Sequence, residues 1–324
     1  PGWALVAAAL SRFEAWPVIA ALLALTAIAT RLTHRDVPLR TVFVRVRGLA
    51  LWPLWTVAAF LVNSRITVGR WFVDSGFFVP DNPALGHPYL AWIEVWRGLG
   101  ELTGPILPWI GVAAAIAIVI EAVRRPRRAP LLLTLALGAA AILPWGAYFK
   151  GHPIRLRYDV PLVAACAAIV GTAVALLPRR LQLAAAALTI AVSVWQAPPF
   201  NSRAAVIAES QRDAADRVGR RAVTDYLVAH WDRQPIMMSM GSLAHYMQDL
   251  SDNGFDVRDF LHEGNGEIWR AAMEHPQPLV EWIAINEAGR GGDALSWRSK
   301  HDPSFLAGYA RVAKGGGVAL YRRR

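Results

Sequence analysis

Apolar runs recur through the first two hundred residues, and the turns between them are crowded with arginine. Few folds satisfy that pattern. A long apolar segment with almost no charge can satisfy its own backbone hydrogen bonds as a helix, and a series of them reads as a set of membrane spans. The runs lie at about 17–30, 48–62, 105–123, 130–149, 160–177 and 181–195, about six spans. Pro17 suits an early helical position, Pro53 predicts a tilt or kink in the second run, and Pro198-Pro199 breaks the chain after the sixth. Residues 2–10 are apolar but short, and fit either the end of a lost span or an interfacial helix.

The net charge of +10 has to be located before it is interpreted. Residues 1–198 hold 18 Lys or Arg against 8 Asp or Glu, whereas residues 199–324 hold 16 of each. The excess therefore sits in the apolar part, in the turns at 31–47, 124–128 and 179–180, where basic residues set membrane topology. A nucleic-acid binder would carry it on a solvated face with aromatic platforms, so no nucleic-acid partner is expected. The arginine-dense turns mark the cytoplasmic side. The loop at 64–103, with three Arg offset by four acidic residues, then faces outside. Trp16, Trp109, Trp145 and Trp195 fall near the outer ends of their spans, as an interfacial aromatic belt does.

Residues 1–200 are thus expected to form an α-helical transmembrane bundle with an outer loop at 64–103, and residues 201–324 a small extracytoplasmic α/β domain. The setting is an integral membrane protein, of a bacterial inner membrane. Within the outer loop, residues 88–102 repeat Leu90, Ile93, Trp96 and Leu99 at helical spacing. Such a helix either lies in the headgroup plane or caps the bundle. In the tail, residues 202–231 are helical with a break at Gly219, and 236–240 is a buried strand. Ser242 is placed to N-cap a helix running to about Leu250. A helix at 268–274, a strand at 279–285 and a hairpin through Gly315-Gly316-Gly317 complete an alternating α/β pattern.

The chemistry concentrates where the fifth run begins, in the sequence KGHPIRLRYDVP at 150–161. Lys150, His152, Arg155 and Arg157 crowd the lip of a span, which is costly unless an anion sits opposite, and lipid phosphates are the anions available there. Arg155 and Arg157 can each fork two hydrogen bonds to phosphate oxygens, and Lys150 adds a mobile point charge. The competing role for these cations is to snorkel to the interface. Tyr158 anchors the helix at headgroup depth, and Asp159 is expected to orient Arg157. These cations also lie on the side where the positive-inside rule expects few.

An Arg-Tyr-x-x-Pro run (Arg157, Tyr158, Pro161) opening a late span after a basic outer loop resembles the GT-C superfamily of membrane glycosyltransferases. The resemblance is to the protein O-mannosyltransferase and aminoarabinose transferase group, glycosyltransferase family 39-like enzymes, and covers about residues 15–200. It implies inverting transfer of a sugar from a polyprenyl-phosphate donor to a protein, lipid or glycan acceptor on the outer face. It also implies that Arg155, Arg157 and Lys150 hold the donor phosphate. The family's catalytic acidic residues belong to a first outer loop near the N-terminus, which this sequence lacks. No signal peptide and no initiator Met precede Pro1, so the chain reads as the back portion of a longer protein, and no catalytic base is assigned within it.

Asp74 and Asp81 in the remaining outer loop could assist catalysis or bind a divalent ion, and also suit plain turns. The stretch GSLAHYMQ at 241–248 has the strand-to-helix geometry that presents backbone N–H groups to an anion, or is an ordinary turn. His262-Glu263 lacks the helical spacing of a zinc site. The single cysteine, Cys166, lies in an apolar run and supports neither an intrachain disulfide nor a cysteine metal cluster. The rival to an enzyme is a non-catalytic, membrane-anchored binding or assembly module. A transporter would need polar or broken helices at mid-span, and these runs carry almost no ionisable groups at depth.

Overall fold

The computed structural model describes residues 2–68, 71, 82–152, 155–198, 201, 204–287 and 293–324, without the side chains at 205–206, 209–210 and 212–215. The chain divides into two compact units. The first comprises Pro1–Phe72, Pro88–Ala147 and Ile154–Val206, and the second Val73–His87, Tyr148–Pro153 and Ile207–Arg324.

The first unit is helical. Its elements are α1 (Gly2–Ser11), α2 (Ala15–Thr33), α3 (Leu39–Val68), α4 (Pro88–Thr103) and α5 (Ile106–Arg124). A 3₁₀ helix (Pro126–Ala141) then continues as α6 (Ile142–Phe149), followed by α7 (Val160–Val174) and α8 (Arg179–Gln196). Among the described residues, five helical stretches are long and apolar enough to cross a membrane: Ala15–Thr33, Leu39–Thr67, Ile106–Arg124, Pro126–Phe149 and Leu156–Val174. The sixth run forms α8, of 18 residues, but Arg179, Arg180, Gln182 and Gln196 dilute it and it is not one of the five. The second run is longer than its composition suggests. Its helix begins at Leu39, so Arg40, Arg45 and Arg47 ride on a helix rather than in a loop, and Pro53 is accommodated inside it.

Small residues let these helices approach. Ala114, Ile118 and Ala122 of α5 pack with Ala129 and Leu132 of the 3₁₀ helix and with Ile169 and Val170 of α7. Close backbone contact of this kind is how helices associate where lipid removes the hydrophobic drive between them. Outward, Leu54, Trp55, Ile116, Val123 and Leu183 are exposed, a surface suited to lipid.

Contacts sort the helix ends. Thr33 Oγ1 donates to Pro126 O at 3.1 Å, joining the end of α2 to the start of the 3₁₀ helix. A cavity wall shared by Arg127, Arg128, Ala175 and Leu176 brings the far end of α7 to the same place. At the opposite end, Gln196 Oε1 accepts from Ile106 N at 3.1 Å, joining the end of α8 to the start of α5. Asp159, just before α7, packs there on Gly98 of α4. The arginine turns at 124–128 and 179–180 therefore gather at one end, and Arg155 and Arg157 stand at the other. Helix α4 packs on α5 and α7. Its buried face is Ala91, Val95, Gly98 and Leu99, so of the apolar stripe expected from sequence only Leu99 is buried. Ala91 and Gly98 let the backbones approach, and Val95 and Leu99 fill the rest of that contact.

The second unit holds α9 (Ala205–His230), β1 (Ile236–Met238), α10 (Met240–Leu243), α11 (Tyr246–Ser251), β2 (Phe260–Leu261) and α12 (Glu267–Glu274). After these come β3 (Trp282–Asn286), α13 (Ala294–His301), β4 (Tyr309–Gly315) and β5 (Val318–Arg323). Among the described residues they make a five-stranded mixed sheet of order β2-β1-β3-β5-β4. Its first three strands are parallel, and β5 runs antiparallel to both neighbours. Strand β3 is buried on both faces: Trp282 and Ala284 join one core with Val223 and Leu227 of α9, while Ile283 and Ile285 join another with Trp269 and Leu295. Alternation of period two feeds both layers.

Two sequence expectations change here. Gly219 does not break α9, which is continuous through it. A Cβ at Gly219 would lie 2.5 Å from Gly316 N, so glycine is required where the β4–β5 turn presses on the helix. That turn places Gly316 and Gly317 at φ of 52° and 76°, both left-handed, as a two-residue hairpin loop demands. The helix expected from Ser242 to Leu250 is divided into α10 and α11, and Ser239, not Ser242, holds the cap position.

Gly219→Val should lower the stability of the protein by about 1–3 kcal/mol, the usual cost of overpacking. Gly48→Ala, where a Cβ meets nothing within 4 Å, should leave it unchanged or slightly raised. Thermal unfolding in detergent measures both.

Candidate functional site

The mouth of α7 is built by one 3₁₀ turn, Leu156–Tyr158. Tyr158 N donates to Arg155 O and Asp159 N to Leu156 O, each at 3.0 Å, and Pro161 sits in the first turn of α7 where its missing N–H is harmless. Successive side chains on such a turn point about 120° apart. Arg157, Tyr158 and Asp159 accordingly diverge. Arg157 is exposed, with its guanidinium 5.4 Å from the Tyr158 ring centre, and Arg155 is half-buried. Asp159 turns inward and has no exposed surface. The expected pairing of Asp159 with Arg157 is not formed, because residues two apart on this turn cannot face each other.

Asp159 instead occupies the space a side chain on Gly98 would fill: a Cβ built there collides with its carboxylate. Glycine on α4 is thus what admits a buried carboxylate at the mouth. Nearby, Arg12 forks Glu14, with Nε to Oε2 at 3.1 Å and Nη2 to Oε1 at 2.5 Å, and lies in electrostatic range of Tyr158. Burial pushes the Glu14 carboxyl up, but the Arg12 hydrogen bonds and charge outweigh it and hold it below its ordinary value. A carboxylate held that way is a poor base. The pair is visible in sequence as Arg-x-Glu between two apolar runs.

Lys150 and His152 belong to the second unit, not to the unit that carries Arg155, Arg157, Tyr158 and Asp159. Lys150 is exposed and His152 half-buried, and His152 O accepts from Asn82 Nδ2 at 2.8 Å. Asp74 and Asp81 lie outside the described residues.

In the second unit, carboxylates gather at the carboxyl ends of the parallel strands. The connection leaving β1 leads to β2, and the one leaving β3 leads to the opposite side, so these adjacent ends form a topological switch point. Glu263 accepts from the Ser239 hydroxyl and, at 2.8 Å, from Met240 N. Asp293 accepts from Asn286 N at 3.0 Å, Ser296 N at 2.6 Å and Ser242 Oγ at 3.2 Å. The N–H that GSLAHYMQ-type geometry would offer to an anion is therefore already answered by the protein's own Glu263. Among the described residues, no group of three or more His, Cys, Asp or Glu could hold a metal ion.

Burial raises both carboxyls, against the hydrogen bonds they accept, and Asp293 is pushed up to about 6 with the Glu263 charge adding to the effect. The folded Asp293 holds a proton that its unfolded counterpart, near 3.8, has lost. Its contribution is thus fully present below about pH 4 and is lost as pH rises to about 6, by on the order of 3 kcal/mol. Sequence reading missed this pair because Glu263 and Asp293 are thirty residues apart and meet only through the sheet.

Two outcomes follow. Asp293→Asn should flatten the pH dependence of unfolding between pH 4 and 6, read by hydrogen exchange of β1 and β3 amides corrected for intrinsic rates. Gly98→Ala should destabilise by about 1–3 kcal/mol, and the cost should shrink in an Asp159→Ala background, as a double-mutant cycle would register.

No protein-family model, curated protein or solved structure matches the chain.

Proposed function

We propose that this chain serves as an integral-membrane glycosyltransferase that takes a sugar from a polyprenyl-phosphate donor on the outer face of a bacterial inner membrane. The observation that carries the reading is the basic mouth of α7. Arg155 and Arg157 stand at the end of the first unit remote from the arginine turns that topology would keep cytoplasmic. In this reading α8, about 27 Å long at helical rise, is the sixth span, and the mouth faces the outer side.

The chemistry asked of the mouth is electrostatic. When the acceptor hydroxyl attacks the anomeric carbon, the bond to the lipid phosphate breaks and its electrons leave with the phosphate. Arg155 and Arg157 hold that phosphate and stabilise the charge it gains. Tyr158 braces Arg157, and Asp159 anchors the turn rather than removing a proton. The proton of the acceptor hydroxyl passes to a general base, a role assigned to none of the residues named here.

Replacing Arg155 or Arg157 by Ala in the full-length protein should weaken retention of polyprenyl phosphate about 10- to 100-fold, as loss of a charge-assisted hydrogen bond does. Lysine should restore part of it, lacking the planar fork. Native mass spectrometry in detergent reads the affinity, and an unchanged value for both alanine variants overturns the assignment.

A further inference from the structure

A cavity of about 680 Å³ in the first unit opens at the end away from the proposed donor site, between the 3₁₀ helix and α7. Its size is that of an ordinary small-molecule site. Its walls are apolar or small, with Leu131 facing Ala168, Gly171 and Ala175, and its rim carries Arg127 and Arg128. At its side Thr172 Oγ1 meets Thr134 Oγ1 at 3.3 Å. The 3₁₀ winding explains the shape, because side chains three apart eclipse one another. Arg128, Leu131 and Thr134 therefore form a straight row from rim to interior.

The charges at the rim are not balanced. Glu121 is engaged by both Arg125 at 3.1 Å and Arg128 at 2.6 Å. Arg127 is exposed and enters no ion pair among the described residues. An apolar slot between two spans that ends in an unbalanced guanidinium matches one chemistry: an acyl chain ending in a phosphodiester. We propose that this groove is a binding site for an anionic phospholipid of the leaflet at the arginine-rich end. One acyl chain lies along α7 past Gly171, and the phosphate meets Arg127 and Arg128. The site is separate from the donor mouth and does not depend on what the mouth does.

Gly171 supplies a clean variant, since a Cβ there meets nothing within 4 Å, so Gly171→Leu fills the groove without touching the backbone around it. The test uses the full chain in nanodiscs of mixed phosphatidylglycerol and phosphatidylcholine, released into detergent for native mass spectrometry of retained lipid. The wild type should keep phosphatidylglycerol in preference to phosphatidylcholine. Arg127→Ala should cut that preference about fivefold and the double variant with Arg128→Ala further, at about 1 kcal/mol per surface cation. Gly171→Leu should lose the retained lipid, while Gly48→Ala leaves it unchanged. Equal retention of the two lipids by the wild type, or a preference that survives both arginine substitutions, overturns the proposal. So does phosphatidylglycerol retention that Gly171→Leu leaves intact, which would mean headgroup adsorption without a seated chain.

Discussion

A carboxylate with no exposed surface is expensive to keep in an apolar helical assembly, and its position is correspondingly well determined. Asp159 is such a group. It is admitted because α4 offers a glycine, Gly98, at the point of contact, and because the 3₁₀ turn before α7 rotates it inward. The same rotation sends Arg157 outward over Tyr158. One turn thus separates an anchoring anion from the cations beside it, and the direction in which the mouth presents charge depends on that separation. Had Asp159 paired with Arg157, as adjacency in sequence suggests, the guanidinium would be neutralised by its own chain and have little left for a phosphate.

The second unit makes a related use of carboxylates. Glu263 and Asp293 draw together strand ends that are remote in sequence, and they take up backbone N–H groups that would otherwise be open at the ends of β1 and β3. Each accepts enough hydrogen bonds to justify its burial, yet both remain harder to ionise than in water. The arrangement looks like an acid–base pair, but its donors belong to the turn it closes. What it confers directly is a set of central strand ends whose cohesion depends on pH. Arg220, nearly fully buried on α9 and 3.2 Å from His245, shows the same habit of holding loops through charge.

The spans were legible because their signal is compositional: apolar length and arginine turns survive any error in register. The start of α3 was not, since Arg40, Arg45 and Arg47 read as a loop until Val42, 3% exposed, is seen to pack among them. Gly219 was misread for a complementary reason. Propensity says that glycine weakens a helix, whereas here its absent side chain makes room for Gly316. Strand β2, two residues long, carries no periodicity to detect. The direction of Asp159 and the meeting of Glu263 with Ser239 were equally invisible, because both are set by elements distant in the chain.

The cations of the first unit differ less in number than in company. At the arginine-rich end, Arg125 and Arg128 share one carboxylate, Glu121, and Arg127 has none among the described residues. At the other end Arg12 has Glu14, and Arg97 reaches both Glu94 and Glu101. In the proposed orientation, unbalanced charge at the first end follows from topology alone, because inserting a chain requires cations that stay behind and asks for no partner. At the second end topology gives no reason for cations, and those at Arg12 and Arg97 are matched by acids. Arg157 stands apart in that company, exposed and supported by an aromatic ring instead of a carboxylate. In the proposed reading, an anion from outside the chain answers a cation that insertion does not require and the surrounding acids do not neutralise.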